Sequence, residues 1–348
     1  MSQGQLILNQ PLMHLVISKT PLRLSLGGGG TDLPHFYRKH GSHIVTAAVQ
    51  KYVYVFAKRW FEDGIRVSYS KTEQVSSVDD IEHPVVREAL RLLGPKRQIE
   101  IVSMADVPAR TGMGSSASFA VGLVNALYSI NKASIDSSSL AEMAFKIQAE
   151  ILNEICGKQD QYAAAVGGLM SLTIDRDGKV SVKELPIGDE VLEELENNIL
   201  CFYTGIQRDS SGIQKRIVES STAVNTVCKS ASCIEEALRN IKSISMRVEK
   251  SLESGNLDEF GSLLNIHWLA KRSLSNSISN VIIDRLYQKG LDAGAIGGKI
   301  IGAGGGGFLI FYCKNAKKGD LRKVMINAGL KEIKIRFDFH GSRIVANI

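Results

Sequence analysis

The run Val107-Pro-Ala-Arg-Thr-Gly-Met-Gly-Ser-Ser-Ala-Ser-Phe119 decides how the chain is read. A glycine-serine loop opens here directly into an apolar helical pattern. Ala117, Ala120, Val121, Val124, Leu127 and Tyr128 recur at three- and four-residue spacing, which predicts one buried face of a helix. Gly112 and Gly114 let the backbone turn without Cβ clashes, so successive N–H groups can point into one concavity. The helix that follows adds unpaired N–H groups and the positive end of its dipole, which makes an anion site. Ser115 and Ser116 place hydroxyls there, able to reach a phosphate oxygen or a magnesium ion. Alone, such a cluster is also an ordinary capped helix start. This one has company.

A second cluster, Gly27-Gly-Gly-Gly-Thr-Asp32, follows the predicted strand Leu22–Leu26. Four consecutive glycines are costly in conformational entropy, so the pattern implies that something approaches the backbone closely. Asp32 can accept hydrogen bonds from hydroxyls, and Arg23 on the preceding strand offers a fixed positive fork. A flexible surface turn is the alternative. The third cluster, Gly302-Ala-Gly-Gly-Gly-Gly307, satisfies G-x-G-x-x-G to the letter. A dinucleotide fold would need a helix next, and Phe308-Leu-Ile-Phe-Tyr312 is a β-type run, so that fold is excluded on context. A glycine turn between two strands, supporting another phosphate loop, fits better. The G-x-x-x-x-G-K-[ST] pattern is absent too, since Gly298-Lys299 is followed by Ile300 and preceded by Ala293 at the required glycine position. Asp160, in Gly157-Lys-Gln-Asp-Gln161, is a carboxylate beside a glycine turn after a helix carrying Glu150 and Glu154. It suits a proton acceptor or metal anchor, and equally a helix cap.

The 348 residues suggest two domains. A hydrophobic share of 44% and a charged share of 22% are those of an ordinary globular enzyme. The net charge of +6 is scattered, without a block of like charges; nucleic-acid binding would rest on that surplus alone. Cys156, Cys201, Cys228, Cys233 and Cys313 form no CxxC pair, which favours reduced thiols and a cytoplasmic setting. Leu6–Ile17 is interrupted by polar residues and Pro11, so neither a signal peptide nor a membrane span is expected there.

Strands are expected at Leu15–Ser18, Leu22–Leu26, Ile44–Val49, Tyr52–Ala57, Ile99–Ser103, Leu169–Ile174, Ile199–Tyr203, Lys299–Ile301, Phe308–Tyr312 and Glu332–Phe337. Helices are expected at Pro84–Leu93, after the glycine-serine loop, near Ser138–Asn153 and around 213–275. Ile234, Leu238, Ile241, Ile244, Val248 and Leu252 form an amphipathic stripe expected in the core. The acidic stretch Pro186–Asn197 is the candidate domain boundary.

In this order the three clusters resemble the GHMP kinase superfamily (galacto-, homoserine, mevalonate and phosphomevalonate kinases) across nearly the whole chain. The motifs are Pro21 to Asp32, Pro108 to Ser118 and Lys299 to Phe308. Within it the Thr-Asp-Leu end of the first loop, Gly157 to Ala165, Tyr203-Thr-Gly205 with Arg208, and Gly297 to Phe308 are most similar to heptose 7-phosphate kinases. The resemblance implies a two-domain α+β fold with ATP in the cleft between domains. The N-terminal domain (1–190) would be ribosomal-S5-domain-2-like and the C-terminal domain (191–348) ferredoxin-like. It also implies roles. Gly112, Met113, Gly114, Ser115, Ser116 and Ala117 would wrap the ATP phosphates, with Gly304 and Gly305 of the third loop completing that site. Asp160 would be the base, with Arg23 beside it. Gly29, Gly30, Thr31, Asp32 and Gln161 would hold the sugar. Magnesium would sit on Ser116 and a carboxylate. Met113 stands where the family has Leu. Gln148 stands where the family has the magnesium-binding Glu, and the nearest carboxylate is Glu150. Either Glu150 takes that role through a local shift, or the metal relies on Ser116 and ATP oxygens.

The activity expected is transfer from ATP to the anomeric hydroxyl of heptose 7-phosphate. An unphosphorylated fucose or galactose, or a silent sugar and ATP sensor, are the alternatives. Arg110, Lys158, Arg208, Lys215, Lys271 and Arg272 are all eligible to hold a 7-phosphate.

Overall fold

The computed structural model describes residues 14–206, 212 and 231–348. The first lobe is an eight-stranded sheet with helices packed against it. Its elements are β1 (Leu15–Gly27), α1 (Pro34–His40), β2 (Ser42–Arg59), β3 (Ile65–Ser68), β4 (Thr72–Val75), α2 (Pro84–Leu93), β5 (Ile99–Ala105), α3 (Ser115–Ile130), α4 (Ser137–Phe145), α5 (Gln159–Val166), β6 (Leu169–Ile174) and β7 (Val180–Glu184). The second lobe holds α6 (Asp189–Asn198), β8 (Ile199–Tyr203), α7 (Ala231–Glu253), α8 (Leu257–Arg272), α9 (Val281–Asp292), β9 (Gly297–Ile300), β10 (Phe308–Tyr312), α10 (Asn315–Asn327) and β11 (Lys331–Ile333). A last strand, β12 (Arg343–Asn347), follows. Among the described residues no helix is long and apolar enough to cross a membrane.

The sequence pattern splits β1 and β2 into two short strands each, whereas in the structure each runs through. Pro21 pairs with Tyr52 and Leu22 with Val49, so Gln50 and Lys51 bulge out of the ladder. Their polarity reads as a turn, but a bulge needs the same residues. Pro21, which has no N–H to offer, sits where the register breaks. Beyond the bulge β2 has a different neighbour on its other edge. Val53–Arg59 pairs with β5, and Ser42–Ala47 pairs with β6.

In the second lobe the sheet order is β11-β8-β10-β9, all antiparallel. In order of appearance this is 4-1-3-2, the ferredoxin-like arrangement. The run Phe308–Tyr312 is apolar throughout because both its faces are covered. Phe308, Ile310 and Tyr312 join the core of the first sheet, while Leu309 and Phe311 join a second core around Trp268 and Tyr287. The stripe on α7 is buried at all six positions. Its Ile244, Val248 and Leu252 belong to the first core, so that core runs from one lobe into the other.

Three expectations need correction. The helix expected at Ser138–Asn153 is α-helical only over Ser137–Phe145, and Lys146–Ile151 is a π-helical turn. The strand expected at Glu332–Phe337 ends at Ile333, with Phe337 forming a lone bridge to Val49. The chain from 191 to 348 also does not stay in the second lobe, because β12 returns to pair with β1 in the first sheet. The candidate boundary Pro186–Asn197 is mostly the helix α6, which leads straight into β8.

Candidate active site

A cleft of about 910 Å³ runs over the end of β1, the start of α3 and the turn before α5. Arg23, Gly29, Gly30, Asp32, Gly112, Gly114, Ser115, Ser116, Ala117, Asp160 and Gln161 all line it. Residues between 23 and 161 of the sequence are thus brought to one place by long-range pairing.

Local geometry explains the glycines. Gly114 is the left-handed N-cap of α3 at φ 77° and leaves the helix N-terminus open to the cleft. In the first loop the close approach comes from the protein itself: a Cβ at Gly28 would lie 2.1 Å from the His43 carbonyl oxygen. The third loop supports the second. A Cβ at Gly307 would lie 2.1 Å from the Thr111 carbonyl oxygen, so the two loops touch backbone to backbone.

Four expected ligand residues are not among those lining the cleft. The Met113 side chain is fully buried in the core, and its carbonyl accepts a 3.0 Å bond from the Arg23 N–H. Thr31 is buried and donates from Oγ1 to the Gly28 carbonyl at 2.7 Å, bracing the first loop. Gly304 and Gly305 turn toward Ile278, whose carbonyl accepts the Gly305 N–H at 2.7 Å. The residues of that loop that line the cleft are Gly302 and Ala303.

Arg23 grips Asp160 with two hydrogen bonds of 2.7 Å, Nε to Oδ1 and Nη2 to Oδ2. Its Nη1 donates to the Gly112 carbonyl, tying the carboxylate to the glycine-serine loop. The Arg23 side chain is only 6% exposed while that of Asp160 is 31% exposed, so the open side of the pair faces the cleft. Asp32 accepts the backbone N–H groups of Gln159 and Gly30, each at 3.1 Å. Burial, and then the charge of Asp160, push the Asp32 carboxyl above its ordinary value against those two bonds. Gly157 lies against it: a Cβ there would be 2.0 Å from Asp32 Oδ2.

Glu150, one of the two sources of magnesium ligands that the resemblance left open, is exposed and does not line the cleft. Two residues apart on a helical turn means different faces, and the π-helical turn leaves Gln148 as the inward residue, 2% exposed. Gln148 Nε2 donates to Ser116 Oγ and to Glu154 Oε2, each at 3.1 Å. Glu154, which also lines the cleft, is thus linked to Ser116 through the Gln148 amide. A hydroxyl and a carboxylate are oxygen donors of the kind magnesium takes, so the donor set suits that ion. Sequence reasoning had no signal for Glu154, because its approach depends on the π-helical turn.

Of the basic candidates, Arg110 and Lys271 line the cleft. Lys271 Nζ donates to the Gly302 carbonyl. Lys158 is a buried brace, held by Glu142 at 2.7 Å and the Gly178 carbonyl at 2.8 Å. Arg272 pairs with Asp284 outside the cleft. Arg208 and Lys215 lie outside the described residues. The sequence reading missed Ser25 and Gln159, which also line the cleft, and Lys299, which is fully buried behind it. Burial pushes the Lys299 amine well below its ordinary value, with Lys271 and Arg23 adding to the shift. Cys156 lines the cleft as well, but burial pushes its thiol up to about 12, which makes it a poor nucleophile.

Residues 83–168 match the family described as GHMP kinases N terminal domain, and residues 248–329 match GHMP kinases C terminal. The chain belongs to the GHMP kinases. As such it is an ATP-dependent phosphotransferase. It is 27% identical to the D-glycero-alpha-D-manno-heptose 7-phosphate kinase of Campylobacter jejuni over 90% of this chain and 94% of that one. It is 24% identical to a galactokinase of Pyrococcus furiosus over 96% and 97% of the two chains. Its fold is similar to that of a D-glycero-D-manno-heptose 1-phosphate kinase from Bacteriodes thetaiotaomicron, with a TM-score of 0.76 at 22% identity, covering 95% and 99% of the two chains. The GHMP kinase fold thus accounts for both sheets and for the cleft between them.

Proposed function

We propose that this kinase transfers the γ-phosphoryl group of ATP to the anomeric hydroxyl of D-glycero-D-manno-heptose 7-phosphate. The product would be the 1,7-bisphosphate used for nucleotide-activated heptose. The observation that carries a phosphotransfer centre is the Arg23–Asp160 pair at the mouth of the glycine-serine loop. The choice of sugar rests on similarity to the heptose 7-phosphate kinase and on the sequence blocks Gly27–Asp32 and Gly157–Ala165.

In this reading the N–H groups from Gly112 to Ala117 and the start of α3 hold the triphosphate. Asp160 accepts the proton of the attacking hydroxyl, and Arg23 keeps its carboxylate turned toward that hydroxyl. Little covalent chemistry is asked of the protein, so positioning carries most of the rate. Asp32 and Gln161 hold sugar hydroxyls beside Gly29 and Gly30. Gln161 Oε1 is buried without a partner among the described residues, an acceptor left for a hydroxyl. A magnesium ion bound with ATP would neutralise the phosphate charge, and Ser116 with Glu154 would hold it. Lys271 and Arg110, which line the cleft, would meet a sugar phosphate. Free thiols at Cys156, Cys201 and Cys313 suit a reducing, cytoplasmic setting.

The similarity to a galactokinase favours a second reading, a kinase of an unphosphorylated hexose. A panel of free and phosphorylated sugars assayed for ADP release separates the two. Phosphorus NMR of the product then shows whether the new phosphate is on the anomeric carbon.

A further inference from the structure

The first glycine loop carries Gly29, Gly30 and Asp32 into the cleft, and its back rests on a helix of the other lobe. A Cβ at Gly27 would lie 3.1 Å from Ser245 Oγ and 3.2 Å from Ser245 Cα. One at Gly28 would lie 2.9 Å from the same Oγ, and one at Gly30 would lie 3.7 Å from Leu238 Cδ2. Ser245 and Leu238 are two turns apart on α7, and Leu238 itself lines the cleft. At residue 27 a methyl group would be in tighter than ordinary van der Waals contact with the helix. The absence of side chains thus lets α7 reach the backbone of the loop.

One residue of β2 touches both partners. The carbonyl oxygen of His43 lies 2.1 Å from the Cβ position of Gly28, and the His43 ring reaches α7. Nδ1 meets Ser245 Oγ at 3.1 Å and Nε2 meets Glu249 Oε2 at 2.5 Å. A carboxylate only accepts, so Nε2 carries a proton and donates it, and a neutral ring accepts the Ser245 hydroxyl at Nδ1. Burial keeps the ring neutral: it pushes His43 below its ordinary value against the pull of Glu249, with Lys242 and Lys183 adding to the shift. Glu249 has a second partner in Lys183 Nζ at 2.7 Å, so its charge is answered from β7 as well.

The same end of β2 steadies the loop from within the first lobe. Ser42 Oγ lies 2.6 Å from Thr31 Oγ1, which donates to the Gly28 carbonyl. Neither His43 nor Ser245 lines the cleft, so neither is placed to touch a substrate. What the pair can alter is where Gly29, Gly30 and Asp32 stand relative to Asp160.

We propose that His43 is a positioning residue for the acceptor sugar. It seats α7 against the first glycine loop, so that sugar affinity depends on a helix of the second lobe. The proposal rests on the reading of that loop as the sugar loop, and it holds for a heptose phosphate and a free hexose alike.

The test is steady-state kinetics of the full chain, with the sugar that it turns over fastest in the acceptor panel. His43→Ala should raise the sugar KM about three- to tenfold, the effect of one lost hydrogen bond, while kcat and the nucleotide KM hold. His43→Gln keeps a donor for Glu249 and should recover part of that rise. Gly27→Ala removes no polar group, and its backbone angle suits any residue, yet its methyl presses on Ser245. It should raise the sugar KM in the same selective way, and it decides the matter if His43→Ala does not fold. A wild-type sugar KM in Gly27→Ala, or in a folded His43→Ala, would overturn the proposal. So would a nucleotide KM that rose in step, or a Gln variant no better than Ala. If wild type turned over no sugar of the panel, the phosphotransfer reading itself would fall, and the seat with it.

Discussion

Arg23 and Asp160 are 137 positions apart in the chain and meet through two parallel hydrogen bonds of 2.7 Å. A third bond from the same guanidinium reaches the Gly112 carbonyl. The proposed base is therefore held by a residue that also holds the phosphate loop, so the acceptor's proton and the donor's phosphate are registered against one rigid fork.

Replacing the base tests that arrangement. Asp160→Asn should lower kcat roughly a hundred- to ten-thousand-fold, the usual contribution of a positioned base, with nucleotide affinity almost unchanged. Steady-state kinetics and analogue titration measure the two. A variant retaining more than about a third of wild-type kcat would reduce Asp160 to a helix cap.

The contact between Gly157 and Asp32 gives a second prediction. A methyl group at residue 157 would lie 2.0 Å from Asp32 Oδ2, so Gly157→Ala must move the carboxylate off the Gln159 N–H. Overpacking of this kind costs about 1–3 kcal/mol. Chemical denaturation should show that loss, and the sugar KM should rise while the nucleotide KM holds. Unaltered stability together with an unaltered sugar KM would contradict the close packing.

Lys299 predicts a dependence on pH. Its folded amine lies well below the ordinary 10.5, chiefly through burial. The folded state then binds fewer protons than the unfolded state, which opposes folding at neutral pH and fades as pH climbs toward 10.5. Lys299 Nζ also has no hydrogen-bond partner among the described residues. Lys299→Met should therefore be more stable than wild type at pH 7 by about 1–3 kcal/mol, the cost of a buried unpaired polar group. Denaturant melts at pH 7 and near pH 10 should show the gap narrowing. A gap that widened with pH would mean the amine is charged in the fold.

The substrate assignment is tested by comparing acceptors. A charge-assisted contact to a phosphate is worth roughly 10- to 150-fold in affinity. Heptose 7-phosphate should therefore show kcat/KM at least about tenfold above that of free heptose, galactose or fucose. Equal or better turnover of a free hexose would shift the assignment to a hexose kinase.

Much of the fold was legible where the signal is local. The start of α3, the buried stripe of α7 and the strand after the third glycine loop all follow from residue spacing. What escaped depends on pairing at a distance or on a break in helical period. Strand β12 is only half-buried and lacks a strong apolar alternation, so nothing in Arg343–Asn347 announces that it completes the first sheet. Glu150 and Glu154 are both carboxylates after one helix, and a regular helix gives no reason to prefer the later one. After the π-helical turn over Lys146–Ile151, Glu150 is exposed and Glu154 lines the cleft. Gly304 and Gly305 carry the loop motif, yet their backbone freedom serves contact with Ile278, while Gly302 and Ala303 line the cleft.

The return of β12 to β1 also governs how the molecule comes apart. The last strand is hydrogen-bonded into the first sheet, and α7 and α8 each bury part of their apolar face in the same core as β2. Melting either lobe alone would strip cover from the other. The chain should denature as one cooperative unit, with calorimetric and van't Hoff enthalpies equal, rather than in two steps. A fragment ending near residue 190 would keep the first two glycine loops of the cleft but not the third, and would lack the strand that covers the β1 edge. During synthesis β1 emerges before its outer neighbour, so native pairing of that edge waits until the far end of the chain has been made.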